Sequence, residues 1–428
     1  MQFWSKYTVE FEFILNRLPW RRFALSGVLL VLLVAFQMTL GAHNDMVQRW
    51  KRRRAYTDAG VRHIQNATNG DILHEEVGQL VSFLSTVSGT AAVDVRHDVT
   101  LAAARIMYRL AYGRCPDETS LDALRHMVHT LPDYTTTIGS LSWLDLFPGW
   151  RLLRRSALAK FVHFNRFLVE FCRREKRRSL EEVISDGDAM HHLPVSLFEF
   201  FRLKMGRMSD HERERFSLTE DVLFDGLEDI IRAGTESSSL VAQWFLLYIA
   251  AFPTVQQRMR QELEDRGLTM RGARPLTVDD VRSLPYCNAA FAEASRFCSL
   301  NPFLKRQLTD DVELDGQRLP RGTVLLFNTW AINNDRRHWT DPERFRPERF
   351  LTADGDFDER QMMLLVPFGF GKRRCIGVET GRALCLLIAA SVVRHFDFTL
   401  DRDRPDFDPV FGIGLAPRPY RLRFEPRS

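Results

Sequence analysis

Cysteine is scarce in this chain: there are six in 428 residues, and none forms a C-x-x-C pair. A disulfide framework is thereby excluded, and the usual zinc spacings are missing. The six scattered thiols suit a reducing cytosolic face, on which the sequon Asn66-Ala-Thr68 would go unused. No internal repeat or low-complexity run is visible, which excludes repeat arrays and compositional linkers. The net charge is only +4, and no basic tract is interleaved with aromatics, so a nucleic-acid partner is not expected. What is abundant is apolar surface, at 45% hydrophobic and 11% aromatic residues. That supplies a large buried core with room for an apolar slot.

The segment Phe368-Gly-Phe-Gly-Lys-Arg-Arg-Cys375-Ile-Gly377 carries the most chemistry. Glycines let such a loop turn tightly, and amides freed by the turn can face a sulfur. Lys372, Arg373 and Arg374 add charge that favours a thiolate. Val378 to His395 reads as a helix, which puts Cys375 near the positive end of its dipole. From the residues alone, Cys375 is a buried structural cysteine, a nucleophile or a metal ligand. Zinc is the weakest of these, because no histidine cluster stands beside it.

Four other constellations precede it. Glu293 and Arg296, at i and i+3 within a predicted helix Pro285 to Phe297, share one face and can pair. Phe345-Arg-Pro-Glu-Arg-Phe350 follows. In the predicted helix between Thr219 and Phe252, Ala233-Gly-Thr-Glu-Ser-Ser238 interrupts an apolar run with small and polar residues. These are poor interior helix formers, so the interruption is either a packing notch or a functional site. Trp50 and Arg54 lie one turn apart in Trp50-Lys-Arg-Arg-Arg54.

F-x-x-G-x-R-x-C-x-G resembles the haem-binding loop of cytochromes P450, and the other four motifs follow that family's order. The resemblance runs from about Trp50 to Phe424. It implies that Cys375 is the axial thiolate ligand of the iron of haem b (iron protoporphyrin IX), with Phe368 against the haem. By the same match Trp50, Arg54, Arg306 and Arg373 meet the propionates. Arg349 would join Glu293 and Arg296 in a buried cluster. Ala233 and Gly234 would leave room for dioxygen, and Glu236 and Ser237 would deliver protons as the catalytic pair. The family usually has threonine where Ser237 stands. Ser237 keeps the hydroxyl and loses the methyl that restricts its rotamer, so coupling is expected to be looser. Ala233, Phe303 and Ile413 are the substrate contacts implied by position.

The expected fold is therefore mainly α with small β-sheets. Strands are expected between Asn301 and Asn328, where Asp315-Gly316 and Pro320-Arg-Gly322 signal turns, and a last hairpin or extended segment over Gly412 to Phe424. Phe23 to Ala42 is 20 residues without a charge, long enough to span a bilayer. Arg21 and Arg22 precede it, and the heavier positive flank follows, which puts the bulk of the chain in the cytosol. The expected organisation is a short segment 1–22, a signal anchor 23–42 and a P450 haem domain 43–428. Ala42 and Trp50 lie eight positions apart. The family normally places a proline-rich hinge, its first helices, most of a small sheet and a pocket-covering loop there, so the domain is expected to be shortened on that side.

The resemblance implies a membrane-anchored monooxygenase of the endoplasmic reticulum, drawing electrons from NADPH-cytochrome P450 reductase or a similar donor. Its expected partners are membrane lipid, dioxygen and an apolar substrate. Two further readings accompany it: a P450-fold isomerase or dehydratase that needs no oxygen, and a catalytically disabled haem or membrane protein.

Overall fold

The structure, a computed structural model, describes residues 44–68, 70–139, 155–185, 194–216, 218–269, 274–401 and 405–427. The expected anchor 23–42 lies outside them. Among the described residues no single helix is long and apolar enough to cross a membrane.

Helices α1 Asn44–Thr68, α2 Asp71–Val87, α3 Arg96–Tyr112, α4 Glu118–Gly139, α5 Arg155–Ser185, α6 Leu197–Gly206, α7 Asp210–Phe216 and α8 Glu220–Ala251 come first. Helices α9 Pro253–Asp265, α10 Val278–Arg282 and α11 Pro285–Cys298 follow. Strands β1 Phe303–Gln307, β2 Val312–Leu314, β3 Gln317–Leu319 and β4 Val324–Asn328 precede the short helices α12 Thr329–Asn333 and α13 Glu359–Met363. The chain then forms α14 Val378–His395, β5 Phe396–Leu400, β6 Pro409–Phe411, β7 Leu415–Pro417 and β8 Leu422–Pro426. The result is mainly helical with small antiparallel pairs, β1 with β4, β2 with β3, β5 with β8 and β6 with β7.

Local chemistry sets these boundaries. Pro253 and Pro285 open α9 and α11 at the first turn, where a missing N–H costs nothing. Thr277 and Asp280 cap α10 reciprocally, each side chain taking the other's backbone N–H. Asp315 and Gly316 both take positive φ, which closes the β2–β3 hairpin in a two-residue turn. The tail differs from the expectation. Its hairpin is β6–β7, turning at Gly412 to Gly414, and the last strand leaves that hairpin to pair with β5. The reason is alternation: Phe396, Phe398, Leu422 and Phe424 all point inward across the β5–β8 ladder.

Helix α8 runs through the core. Its second half, Ala242 to Ala250, is buried throughout, and the α14 residues Ala383 to Arg394 are equally buried. Tyr248 on α8 meets the rings of Phe297, Phe345 and Phe407 at 5.1–5.3 Å. Trp244 Nε1 donates to Leu415 O at 2.8 Å, tying the β6–β7 hairpin to the same helix. The β1–β4 pair is different, for neither strand buries a side chain fully.

Candidate functional site

The Cys375 loop is built on two left-handed glycines. Gly369 and Gly371 take φ of +69° and +63°, where an L side chain would be strained, while Gly377 sits at an ordinary −93°. The turn lets Cys375 N–H donate to Phe368 O at 2.8 Å and Arg374 N–H to Gly371 O at 3.1 Å. The Gly377 N–H is then left to face the sulfur, 3.3 Å from Sγ. Cys375 itself is exposed, three residues before α14 begins. An exposed sulfur with an amide directed at it, just ahead of a helix, is accessible as a metal ligand.

Beside the loop, arginines gather. Arg373 lies over the Trp50 ring, its guanidinium carbon 3.5 Å from the centroid. Arg54 donates to Arg374 O and pairs with Asp58. Arg306 on β1 reaches the turn, since a Cβ on Gly369 would stand 3.8 Å from its Nη2. Burial pushes the Arg373 guanidinium below its ordinary value, and the nearby charges of Arg306 and Arg54 push the same way. Among the described residues neither Arg306 nor Arg373 has a carboxylate within ion-pair distance. Arg306 and Arg373, like charges brought together without such a partner, can take an anion.

The motif on α8 divides by face. Ala233 and Ser237, one turn apart, are exposed although the helix around them is buried. Ser237 Oγ donates to Ala233 O at 2.7 Å. Glu236 is buried, with Oε1 lacking a hydrogen-bond partner, and burial pushes its carboxyl up to about 7, opposed only by Arg232. Gly234 faces elsewhere. A Cβ there would overlap Met107 Sδ on α3, which favours the packing-notch reading at this position. Gly234→Ala is therefore expected to destabilise the protein by about 1 kcal/mol, overpacking outweighing the helix-propensity gain. In a Met107→Ala background the same change becomes stabilising, which urea unfolding of the four variants will read as coupling.

The two faces meet at Gly381 on α14. A Cβ there would lie 3.7 Å from Ser238 Oγ and 3.9 Å from the Phe368 ring. Cys385 Sγ, one turn on, donates to Ser238 O at 3.6 Å. Thus α14 carries the Cys375 loop at its start and packs on the notched turn of α8 immediately after.

Glu293, Arg296 and Arg349 are brought together behind the site. Arg296 holds the carboxylate with Nε at 2.8 Å and Nη2 at 2.9 Å, and Arg349 Nε reaches it at 3.1 Å. Glu293 and Arg296 are fully buried. Their remaining polar atoms are satisfied: Arg296 donates to Asn333 O and Pro342 O, and Arg346 N–H donates to Glu293 at 2.8 Å. Within the charge run Asp341 to Arg349 only Arg349 turns its side chain into the cluster, while Asp341, Glu343, Arg344, Arg346 and Glu348 are exposed.

Phe303 and Ile413 are 43% and 44% exposed, large apolar side chains with an uncovered side. Ile413 tips the β6–β7 hairpin between Gly412 and Gly414. A Cβ on Gly414 would touch Leu300 at 3.0 Å and Leu240 at 3.4 Å, and one on Gly412 the Thr135 backbone at 3.5 Å. Leu240, Leu300 and Thr135 were not singled out from sequence. Leu240 was findable, since 233, 237 and 240 follow the i, i+4, i+7 spacing of one helix face. Thr135 and Leu300 carry no such signal.

Fold and site together define a class: a mainly helical protein with a cysteine loop at the head of one core helix, packed on a notched second helix. The chain belongs to the cytochrome P450 family, whose model matches residues 33–424. It is 27% identical over 392 residues to cytochrome P450 1A2 of Oryctolagus cuniculus, covering 88% of this chain and 74% of that protein. It is 28% identical to cytochrome P450 1A2 of Homo sapiens over 348 residues, covering 80% of this chain and 64% of the relative. Cytochrome P450 1A1 of Opsanus tau is 27% identical over 398 residues, with 90% and 74% covered. The chain thus spans about two thirds to three quarters of the length of these relatives.

Proposed function

We propose that the chain is a haem-thiolate monooxygenase acting on an apolar organic substrate. The carrying observation is the pairing of two half-sites on adjoining core helices. One is the amide-supported Cys375 sulfur with its uncompensated arginines; the other is Ala233, Glu236 and Ser237 on α8. These residues fit haem b. Cys375 would ligate the iron, Phe368 would pack near it, and Trp50, Arg54, Arg306 and Arg373 would take the propionates. When bound, the haem supplies dioxygen activation, in the overall reaction RH + O2 + 2 e− + 2 H+ → ROH + H2O.

The chain's own residues supply the rest. Gly377 N–H stabilises negative charge on Cys375 Sγ. Glu236, with its carboxyl near 7, is part protonated at neutral pH and holds a transferable proton. The Ser237 hydroxyl, next in sequence and on the exposed face it shares with Ala233, would pass a proton onward once it leaves Ala233 O. Gly234 acts through packing on Met107 in this reading. Phe303, Ile413, Leu240 and Leu300 give the substrate an apolar wall.

Lys372 and Arg374 are exposed next to Cys375 and offer an acidic redox partner, NADPH-cytochrome P450 reductase or an equivalent, a complementary surface. The uncharged run Phe23 to Ala42 supports single-pass anchoring in the lipid of the endoplasmic reticulum membrane, with the catalytic part cytosolic.

The test is oxygen uptake by full-length protein with haem, NADPH and reductase. Uptake that requires all three, and that weakens with added salt, supports the proposal. Uptake independent of reductase overturns it. Glu236→Gln is expected to slow uptake about 10²-fold. Ser237→Thr is expected to release less hydrogen peroxide per NADPH than wild type.

A further inference from the structure

Arg232 stands one helical turn before Glu236 on α8, so the two side chains leave neighbouring positions on one face. Its guanidinium is fixed on three sides. Nη1 donates to Tyr134 Oη at 3.1 Å and to Asn165 Oδ1 at 3.2 Å, and Nη2 donates to Asp229 at 2.7 Å. Tyr134 comes from α4 and Asn165 from α5, so the charge is clamped across three helices. Asp229 lies at the surface with 73% of its side chain exposed, against 25% for Arg232. The clamp holds the charge one helical turn from Glu236, a buried carboxyl that lacks a hydrogen-bond partner on Oε1.

Other titratable groups stand on the packed elements. Tyr108 and Tyr112 lie on α3, Tyr134 on α4, Cys172 and Glu175 on α5, Glu228 and Asp229 on α8, and Cys385 on α14. Glu175 is already held by Tyr108, Ser120, Arg114 and Arg174. Burial disfavours the Glu236 carboxylate, and the positive charge of Arg232 opposes it.

We propose that Arg232 is the positioning residue of proton delivery: its clamped charge governs how readily Glu236 gives up a proton. The use of that proton in oxygen chemistry rests on the monooxygenase reading; the control of Glu236 by Arg232 does not.

The signs follow from Coulomb's law. Removing the cation disfavours the carboxylate, so Arg232→Gln moves the titration midpoint of Glu236 up by about 1 pH unit. Arg232→Lys keeps the charge and stays near wild type. Asp229→Asn strips an anion from Arg232, frees more of its field and moves the midpoint down.

The measurement is the infrared carbonyl band of protonated Glu236 against pH in full-length protein, assigned by subtracting the Glu236→Gln spectrum. Opposite shifts in Arg232→Gln and Asp229→Asn support the assignment. Equal midpoints in wild type and Arg232→Gln, or shifts of the same sign in both variants, overturn it. Asp229 is exposed, so if Arg232→Gln folds poorly Asp229→Asn is read alone: a lowered midpoint supports the assignment, and an unmoved or raised one overturns it. The carbon-monoxide difference spectrum of the same preparations reports the haem reading separately.

Discussion

Glu293→Ala is expected to destabilise the protein by about 3–5 kcal/mol, the cost of stranding a buried charge by removing its partner. Two guanidiniums depend on this carboxylate, and Arg296 is fully buried. The same carboxylate takes the Arg346 N–H, so its loss also frees a backbone donor in the segment that leads to the Cys375 loop. Domains of ordinary stability hold about 5–15 kcal/mol, so the change removes a large share of the total. The expected observation is a collapse in soluble yield and a urea midpoint far below wild type. Arg296→Lys should also be severe. A lysine keeps the charge but cannot reach the carboxylate, Asn333 O and Pro342 O at once. A Glu293→Ala protein with wild-type stability would show that the cluster is surface decoration.

Cys375→Ala is expected to leave the fold intact and abolish tight haem retention. The side chain is exposed, and the loop is held by backbone bonds from Cys375 N–H to Phe368 O and from Arg374 N–H to Gly371 O. Neither bond involves the sulfur, so alanine preserves the turn and removes only the ligand. Unfolding by urea should shift little, while haem passes rapidly to a competing apoprotein. A variant that keeps haem as firmly as wild type, with the same spectrum, would place the ligand elsewhere.

Much of this was legible because the chemistry is local. The Cys375 loop announces itself through glycine, arginine and cysteine within ten positions, and α14, α11 and α8 begin and end within a residue or two of where periodicity and proline put them. The Glu293–Arg296 pair was legible for the same reason, whereas Trp50 and Arg54 share a helix but take separate partners, Arg373 for Trp50 and Asp58 for Arg54.

What stayed hidden depends on contacts between elements distant in sequence. Gly234 reads as a small residue in a notch, and only the position of Met107 shows that the notch is filled by α3. Arg232 looks like an ordinary helix-face charge until Tyr134 and Asn165 arrive from α4 and α5. The fate of the tail was open too, since nothing local says that Leu422 to Pro426 pairs with the strand after α14 rather than within its own hairpin.

The most direct test of the haem-thiolate assignment is the carbon-monoxide difference spectrum of the reduced, full-length protein. The account predicts a Soret band at the red-shifted position peculiar to thiolate ligation, absent in Cys375→Ala. A band at the position of nitrogen-ligated haem, or the thiolate band persisting in Cys375→Ala, would contradict it.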